Sequence, residues 1–158
     1  MTNNTFKTKL TEYLDLQQVN YRLLQHQTPA ISIEDAAKQR GIRQSQMVKA
    51  ILLRDMGDNY ALACVPGNLS VDPKKVRAVL DSRRMTCVDL SVIETITGYQ
   101  IGTVTPLLLK HPMPIIFDHQ ILDEFEITIS SGNNMAGIAL SSSDLVELCQ
   151  PIFANICR

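Results

Sequence analysis

No apolar stretch in this 158-residue chain approaches the roughly 20 residues needed to span a bilayer, and the polar start Met1-Thr2-Asn3-Asn4 lacks the apolar segment of a signal peptide. The expected compartment is therefore the cytoplasm, with no membrane partner. Cys64, Cys87, Cys149 and Cys157 include no CxxC pair, so buried reduced thiols are expected in place of zinc sites or disulfides. Charge of neither sign is in excess: 15 basic and 16 acidic residues give a net charge of -1. Any contact with nucleic acid must then come from a local patch and not from a global field. His26, His111 and His119 are scattered without HxH or HExxH spacing, which argues against zinc catalysis, and no metal or other cofactor is expected. GxxxxGK[ST], GxGxxG and GxSxG are all missing, which sets aside the common phosphate loops and the serine nucleophile elbow. If this chain is an enzyme, water or the substrate itself must supply the nucleophile.

The 45% hydrophobic and 20% charged composition fits one domain over residues 1–158 with a substantial core, without repeats or linkers. Phe6, Leu10, Tyr13 and Leu14 fall on one stripe and predict an amphipathic helix from about Thr5 to Val19. A short strand from Tyr21 to His26 follows. Ser32-x-x-Asp35 opens a helix with Ile33, Ala36 and Ala37 inward, closed by Gly41. Val48–Arg54 and Tyr60–Val65, joined by Asp55-Met56-Gly57-Asp58-Asn59, predict a hairpin. Asp72-Pro73 caps a third helix. Ser91-x-x-Glu94 reads as the capping box of a fourth helix, ended by Gly98. Strands at Pro114–Asp118, Ile127–Ser131 and Ile138–Leu140 precede a last helix over Ser141–Gln150, stopped by Pro151. Short strands joined by both hairpins and helices predict an α+β domain with a mixed, strongly curved, barrel-like sheet surrounded by helices.

Three segments carry candidate chemistry. In Gly98-Tyr99-Gln100-Ile101-Gly102-Thr103-Val104-Thr105-Pro106, Gly102 permits close approach to the backbone, and successive N–H groups can cradle an anion or oxyanion. An ordinary turn is the other reading. Lys49 shares a strand face with Ile51 and Leu53; it either serves a phosphate, carboxylate or developing oxyanion, or lays its stem over apolar surface. Ser130-Ser131-Gly132-Asn133-Asn134 either adds donors to such a cradle or forms an Asx-rich turn. Lys74, Lys75, Arg77, Arg83 and Arg84 gather around the third helix as solvated surface or as a track for a nucleic-acid backbone.

The order of these pieces resembles the YbaK/aminoacyl-tRNA synthetase-associated domain family. The similarity runs from about Tyr21 to Leu148: His26, Ile33-Glu34-Asp35-Ala36-Ala37, Met47-Val48-Lys49-Ala50, Ala63-Cys64-Val65-Pro66-Gly67, Thr97-Gly98-Tyr99, Gly102-x-x-x-Pro106, Asp118 and Ile129-Ser130-Ser131-Gly132. The resemblance implies a compact, metal-free pocket that hydrolyses the ester of a small mischarged amino acid (alanine, cysteine, serine or threonine) on tRNA. It implies Lys49 and Gly102 as catalytic, with His26, Ala50, Thr103, Val104, Pro106, Ser130, Ser131 and Gly132 at the substrate. Aminoacyl-tRNA is the implied partner, with an aminoacyl-tRNA synthetase as a second one, and the chain would act in trans. Ala50 stands where relatives often carry a polar residue, and Ser131 with Asn133-Asn134-Met135-Ala136 replaces the usual Ala-Gly-basic-Gly type of turn. These departures favour an alternative, a non-catalytic module of the same fold that binds tRNA or an amino acid.

Overall fold

The computed structural model describes residues 6–158. Helix α1 spans Lys9–Leu16 and is shorter than expected; Thr5, the expected start, lies outside the described residues. Thr8 and Thr11 cap it reciprocally, Thr11 N to Thr8 Oγ1 at 3.2 Å and Thr8 N to Thr11 Oγ1 at 2.9 Å. Leu10 and Leu14, on the predicted stripe, are fully buried. Strand β1 (Tyr21–Gln25) leads to α2 (Ile33–Arg40), where Ser32 Oγ accepts the Asp35 N–H and Asp35 reaches back to the Ile31 N–H. Gly41 closes α2 at φ +70°, the left-handed conformation that glycine adopts without strain.

After a 3-10 turn at Gln44–Gln46, β2 (Val48–Asp55) and β3 (Tyr60–Pro66) form the expected hairpin, its turn held by Asp55 Oδ1 on the Gly57 and Asn59 N–H groups. Helix α3 (Pro73–Leu80) begins at the Asp72 cap and leads to β4 (Met85–Cys87) and α4 (Leu90–Thr97). The capping box expected at Ser91 is corrected: Asp89 is the N-cap and makes no side-chain cap bond, so Ser91 and Glu94 lie inside the helix. Gly98 ends it at φ +80°, as expected. Strands β5 (Ile115–Asp118), β6 (Glu126–Ser130) and β7 (Ala136–Ser141), helix α5 (Ser142–Cys149) and strand β8 (Ile152–Ala154) complete the chain.

The strands make two sheets: a three-stranded antiparallel one, β1-β7-β6, and a five-stranded mixed one, β4-β2-β3-β5-β8. In the second, β2 runs antiparallel to β3 and β4, while β3–β5 and β5–β8 are parallel. This corrects the barrel-like sheet expected from the sequence. The sheets touch through an isolated bridge between Met47 and Thr128 and are not closed, because the turn at Gln44–Gln46 delivers the chain to β2 beside β6 without a shared ladder. Strand β2 is apolar on both faces because it is covered on both. Val48 and Leu52 pack with Leu10, Leu14, Ile127 and Ile129, whereas Leu53 packs with Val76 of α3, Met85 and Ile156. All four cysteines are free thiols; Cys64 and Cys157 are buried as expected, but Cys87 is exposed because it ends the short edge strand β4.

Candidate active site

Strand β4 reaches β2 only at Leu53–Asp55, so the β2 edge from Val48 to Leu52 is left open to a cavity of about 570 Å³. Helix α2 and the turn before it form one wall, the Val88–Ile93 segment and the Gly102 loop another, and the β6–β7 turn the end. Six of the sequence candidates line it: His26, Lys49, Ala50, Gly102, Val104 and Ser130. Thr103, Pro106, Ser131 and Gly132 stand behind this lining. Thr103 folds its own loop, its N–H and Oγ1 both on the Gln100 carbonyl, and Pro106 accepts from Cys149 Sγ. Ser131 is fully buried and donates from Oγ to the Ala136 carbonyl at 2.7 Å. Gly132, at φ +89°, lies on the Tyr99 ring, where a Cβ would come within 3.1 Å of Cε1. Tyr99 thereby joins the glycine loop to the β6–β7 turn, donates its hydroxyl to the Leu107 carbonyl and holds Lys9 Nζ 4.4 Å above its ring.

Gly102 is exposed at φ +83°, and a Cβ there would meet nothing within 4 Å, so its site is open to an incoming group. The Thr103 N–H is committed to Gln100, but those of Gly102 and Val104 have no acceptor among the described residues. They are free peptide donors beside the cavity. Lys49 leans to the far face of the sheet, with Ile51 and Leu53 as the sequence predicted, and its ammonium donates to the Leu69 carbonyl. Asp118, part of the family resemblance, lies outside the cavity and takes the Gln120, Ile156 and Cys157 N–H groups at 2.9, 2.9 and 3.1 Å. Burial raises its pKa, but these donors outweigh that and hold it below the ordinary value. The basic cluster does not reach the cavity: Lys74, Lys75, Arg77, Arg83 and Arg84 are exposed on α3 and the loop after it, with Lys75 Nζ on the Cys157 carbonyl at 2.7 Å.

The residue that the sequence reading missed is Arg40. It follows Ile33, Ala36 and Ala37 at helical spacing on the inward face of α2, and a cation on an apolar stripe was the available signal. Its Nε donates to His26 Nε2 at 3.1 Å and its Nη1 to Thr128 Oγ1 at 3.0 Å. Burial lowers its pKa from 12.5 to about 10, which leaves it charged at neutral pH. His26 sits between two partners. Nδ1 faces the Asn134 carbonyl at 2.8 Å, so Nδ1 carries the proton and Nε2 accepts from Arg40. Burial first, and then the Arg40 charge, depress the imidazole pKa against the pull of that carbonyl.

Among the described residues, no group of three or more His, Cys, Asp or Glu side chains could hold a metal ion, and no helix is long and apolar enough to cross a membrane. The fold and cavity define an α+β pocket protein whose lining residues carry peptide N–H, hydroxyl, amide, imidazole, guanidinium and ammonium groups and no carboxylate. Residues 27–148 match the family model described as aminoacyl-tRNA editing domain, and the chain belongs to that family. It is 25% identical over 126 residues to EbsC of Enterococcus faecalis, named as a candidate Cys-tRNA(Pro)/Cys-tRNA(Cys) deacylase, covering 80% of this chain and 77% of that one. It is 30% identical over 97 residues to a proline–tRNA ligase of a Thermoanaerobacter species, covering 60% of this chain and 17% of the ligase. A solved structure described as a candidate trans-editing enzyme for prolyl-tRNA synthetase superposes with a TM-score of 0.84 at 18% identity, covering 98% and 99% of the two chains. That likeness establishes the fold.

Proposed function

We propose that this protein is an aminoacyl-tRNA deacylase that works in trans and hydrolyses the ester of a small mischarged amino acid of the alanine, cysteine, serine or threonine class. The observation that carries the proposal is the meeting of the open β2 edge, the unpaired Gly102 and Val104 N–H groups and Ser130 in one cavity. The family match and the name of the Enterococcus relative support the reaction class. The ligase relative supports a synthetase as partner.

An aminoacyl ester is already activated, so the protein has to hold the carbonyl, admit water and stabilise the tetrahedral oxyanion. Water adds to the carbonyl carbon and loses a proton to solvent. The oxyanion is received by the Gly102 and Val104 N–H groups, and such a donor contributes about 3 kcal/mol. Collapse breaks the bond to the ribose oxygen, which takes up a proton, and releases the free amino acid. Lys49 joins this chemistry by turning its flexible side chain from the Leu69 carbonyl towards the open strand edge. Lys74, Lys75, Arg77, Arg83 and Arg84 offer phosphate contacts for the acceptor end of the tRNA.

A second reading, a non-catalytic tRNA- or amino-acid-binding module, is favoured by one observation, the engagement of Lys49 Nζ with Leu69. Incubation with prolyl-, alanyl-, cysteinyl-, seryl- and threonyl-tRNA, with ester loss followed over time, separates the two. Release of one or more amino acids supports the deacylase. Saturable binding without release supports the module.

A further inference from the structure

The deacylation chemistry above leaves one cation in the cavity unused. Among the described residues Arg40 has no carboxylate partner and its Nη2 has no acceptor. Its guanidinium is held from three sides: by His26, by Thr128 and by the backbone of Gly137, where a Cβ would collide with it. Arg40 is itself half-buried, but the groups it donates to are not accessible: Thr128 is fully buried and His26 is 6% exposed, while Ile31, Leu90 and Ile101 on the opposite part of the lining are 88%, 63% and 55% exposed. A tRNA end entering over those exposed side chains presents its smallest part, the acyl group, to the Arg40 end.

We infer that Arg40 is a specificity-determining residue that reads an oxygen on the amino-acid side chain, a hydroxyl or a carboxylate, and disfavours acyl groups without one. The inference rests on the deacylase reading and narrows its substrate class to the serine- and threonine-like members; aspartate, outside that class, serves as the charged control. When the acyl group displaces water from around it, a fixed N–H donor gains an acceptor if that group carries an oxygen and is stranded if it ends in a methyl or thiol. Sites built in this way reject the analogue lacking the oxygen far more strongly than a purely apolar pocket rejects an altered methylene. The planar fork suits carboxylate and hydroxyl oxygens alike.

The test measures single-turnover hydrolysis of seryl-, threonyl-, aspartyl-, alanyl- and cysteinyl-tRNA by the parent, Arg40→Leu and Arg40→Gln. Binding of the non-hydrolysable 3′-amide analogues of seryl- and alanyl-adenosine is followed by calorimetry. The parent is expected to prefer oxygen-bearing acyl groups by about tenfold or more. Arg40→Leu should bring that ratio close to one, the seryl and threonyl rates falling much further than the alanyl rate, and Arg40→Gln, which retains a donor, should fall between. If Arg40→Leu is unfolded at the assay temperature, Arg40→Gln decides. No preference in the parent, or an equal loss for every acyl group in folded variants, overturns the inference; the second result would make Arg40 a contact to a group common to all tRNAs. Selective binding of the seryl analogue without hydrolysis upholds Arg40 and rejects the deacylase. Hydrolysis without selectivity does the reverse, and a protein that neither binds nor hydrolyses rejects both.

Discussion

Arg40 donates through Nε to Nε2 of His26 across 3.1 Å, which requires that this imidazole be neutral. Burial, reinforced by the guanidinium charge, holds the His26 pKa below its ordinary 6.5 in the fold. The unfolded chain therefore binds a proton near pH 6.5 that the folded chain refuses, so this contribution to stability is complete above that pH and is lost as pH falls from there towards the folded pKa. Melting curves at pH 5 and pH 7.5 should show the parent less stable at pH 5. His26→Asn should show a smaller difference, and an unchanged difference would remove His26 from the pH response.

Gly137→Ala is expected to be strongly destabilising, by about 1–3 kcal/mol, because the new methyl group overlaps the Arg40 guanidinium inside a packed strand. Urea unfolding measures this. If the cost comes from that overlap, Gly137→Ala combined with Arg40→Leu should cost less than the sum of the two changes.

Gly102→Ala tests the peptide cradle. Its Cβ would meet no neighbour, but φ +83° strains any L-residue, so a loss of about 1 kcal/mol in stability is expected. The proposed mechanism adds a second effect, loss of most of the turnover in the folded fraction. Melting and single-turnover deacylation on one sample tell them apart, and a destabilised but fully active variant would exclude the loop from catalysis.

Lys49→Ala should fold, since it removes a hydrogen bond to the Leu69 carbonyl that is worth about 1 kcal/mol net. Deacylation is expected to be abolished. Activity equal to the parent's would take Lys49 out of the mechanism.

For the exposed cluster around α3, deacylation at subsaturating tRNA should fall steeply as salt rises, because each neutralised phosphate releases counterions. Replacing Arg83 and Arg84 together with serine should make that dependence shallower. A flat response in the parent, over salt concentrations that leave it folded, assigns these residues to ordinary surface.

The parts of the fold that were legible are those in which a local rule and the tertiary structure agree. Asp72-Pro73 caps α3, Gly41 and Gly98 end their helices in the left-handed region, and the Asp55–Asn59 turn joins two strands of ordinary length. Strands β4 and β8 were not legible: each has three residues, too few for alternation to register, and each exists because a longer strand offers an edge to pair with. The two-sheet arrangement was hidden for a related reason, since nothing in Met47 or Thr128 announces a single isolated bridge. At the site, the glycine loop and the lysine strand were visible as anomalies of composition. Arg40 left a fainter mark: its i+3/i+4 spacing from Ala36 and Ala37 places it on the inward stripe of α2, but a basic residue in a last helical turn is ordinary on dipole grounds, and that ordinary role masked the spacing.

Thr128 carries the isolated bridge to Met47, and its hydroxyl also accepts from Arg40 Nη1. The seam between the two sheets and the seat of the buried-side guanidinium therefore meet in one side chain. A replacement at position 128 that keeps the backbone bridge but removes the hydroxyl leaves the seam in place and frees the guanidinium. The architecture and the chemistry of the cavity wall can thus change independently at a single position.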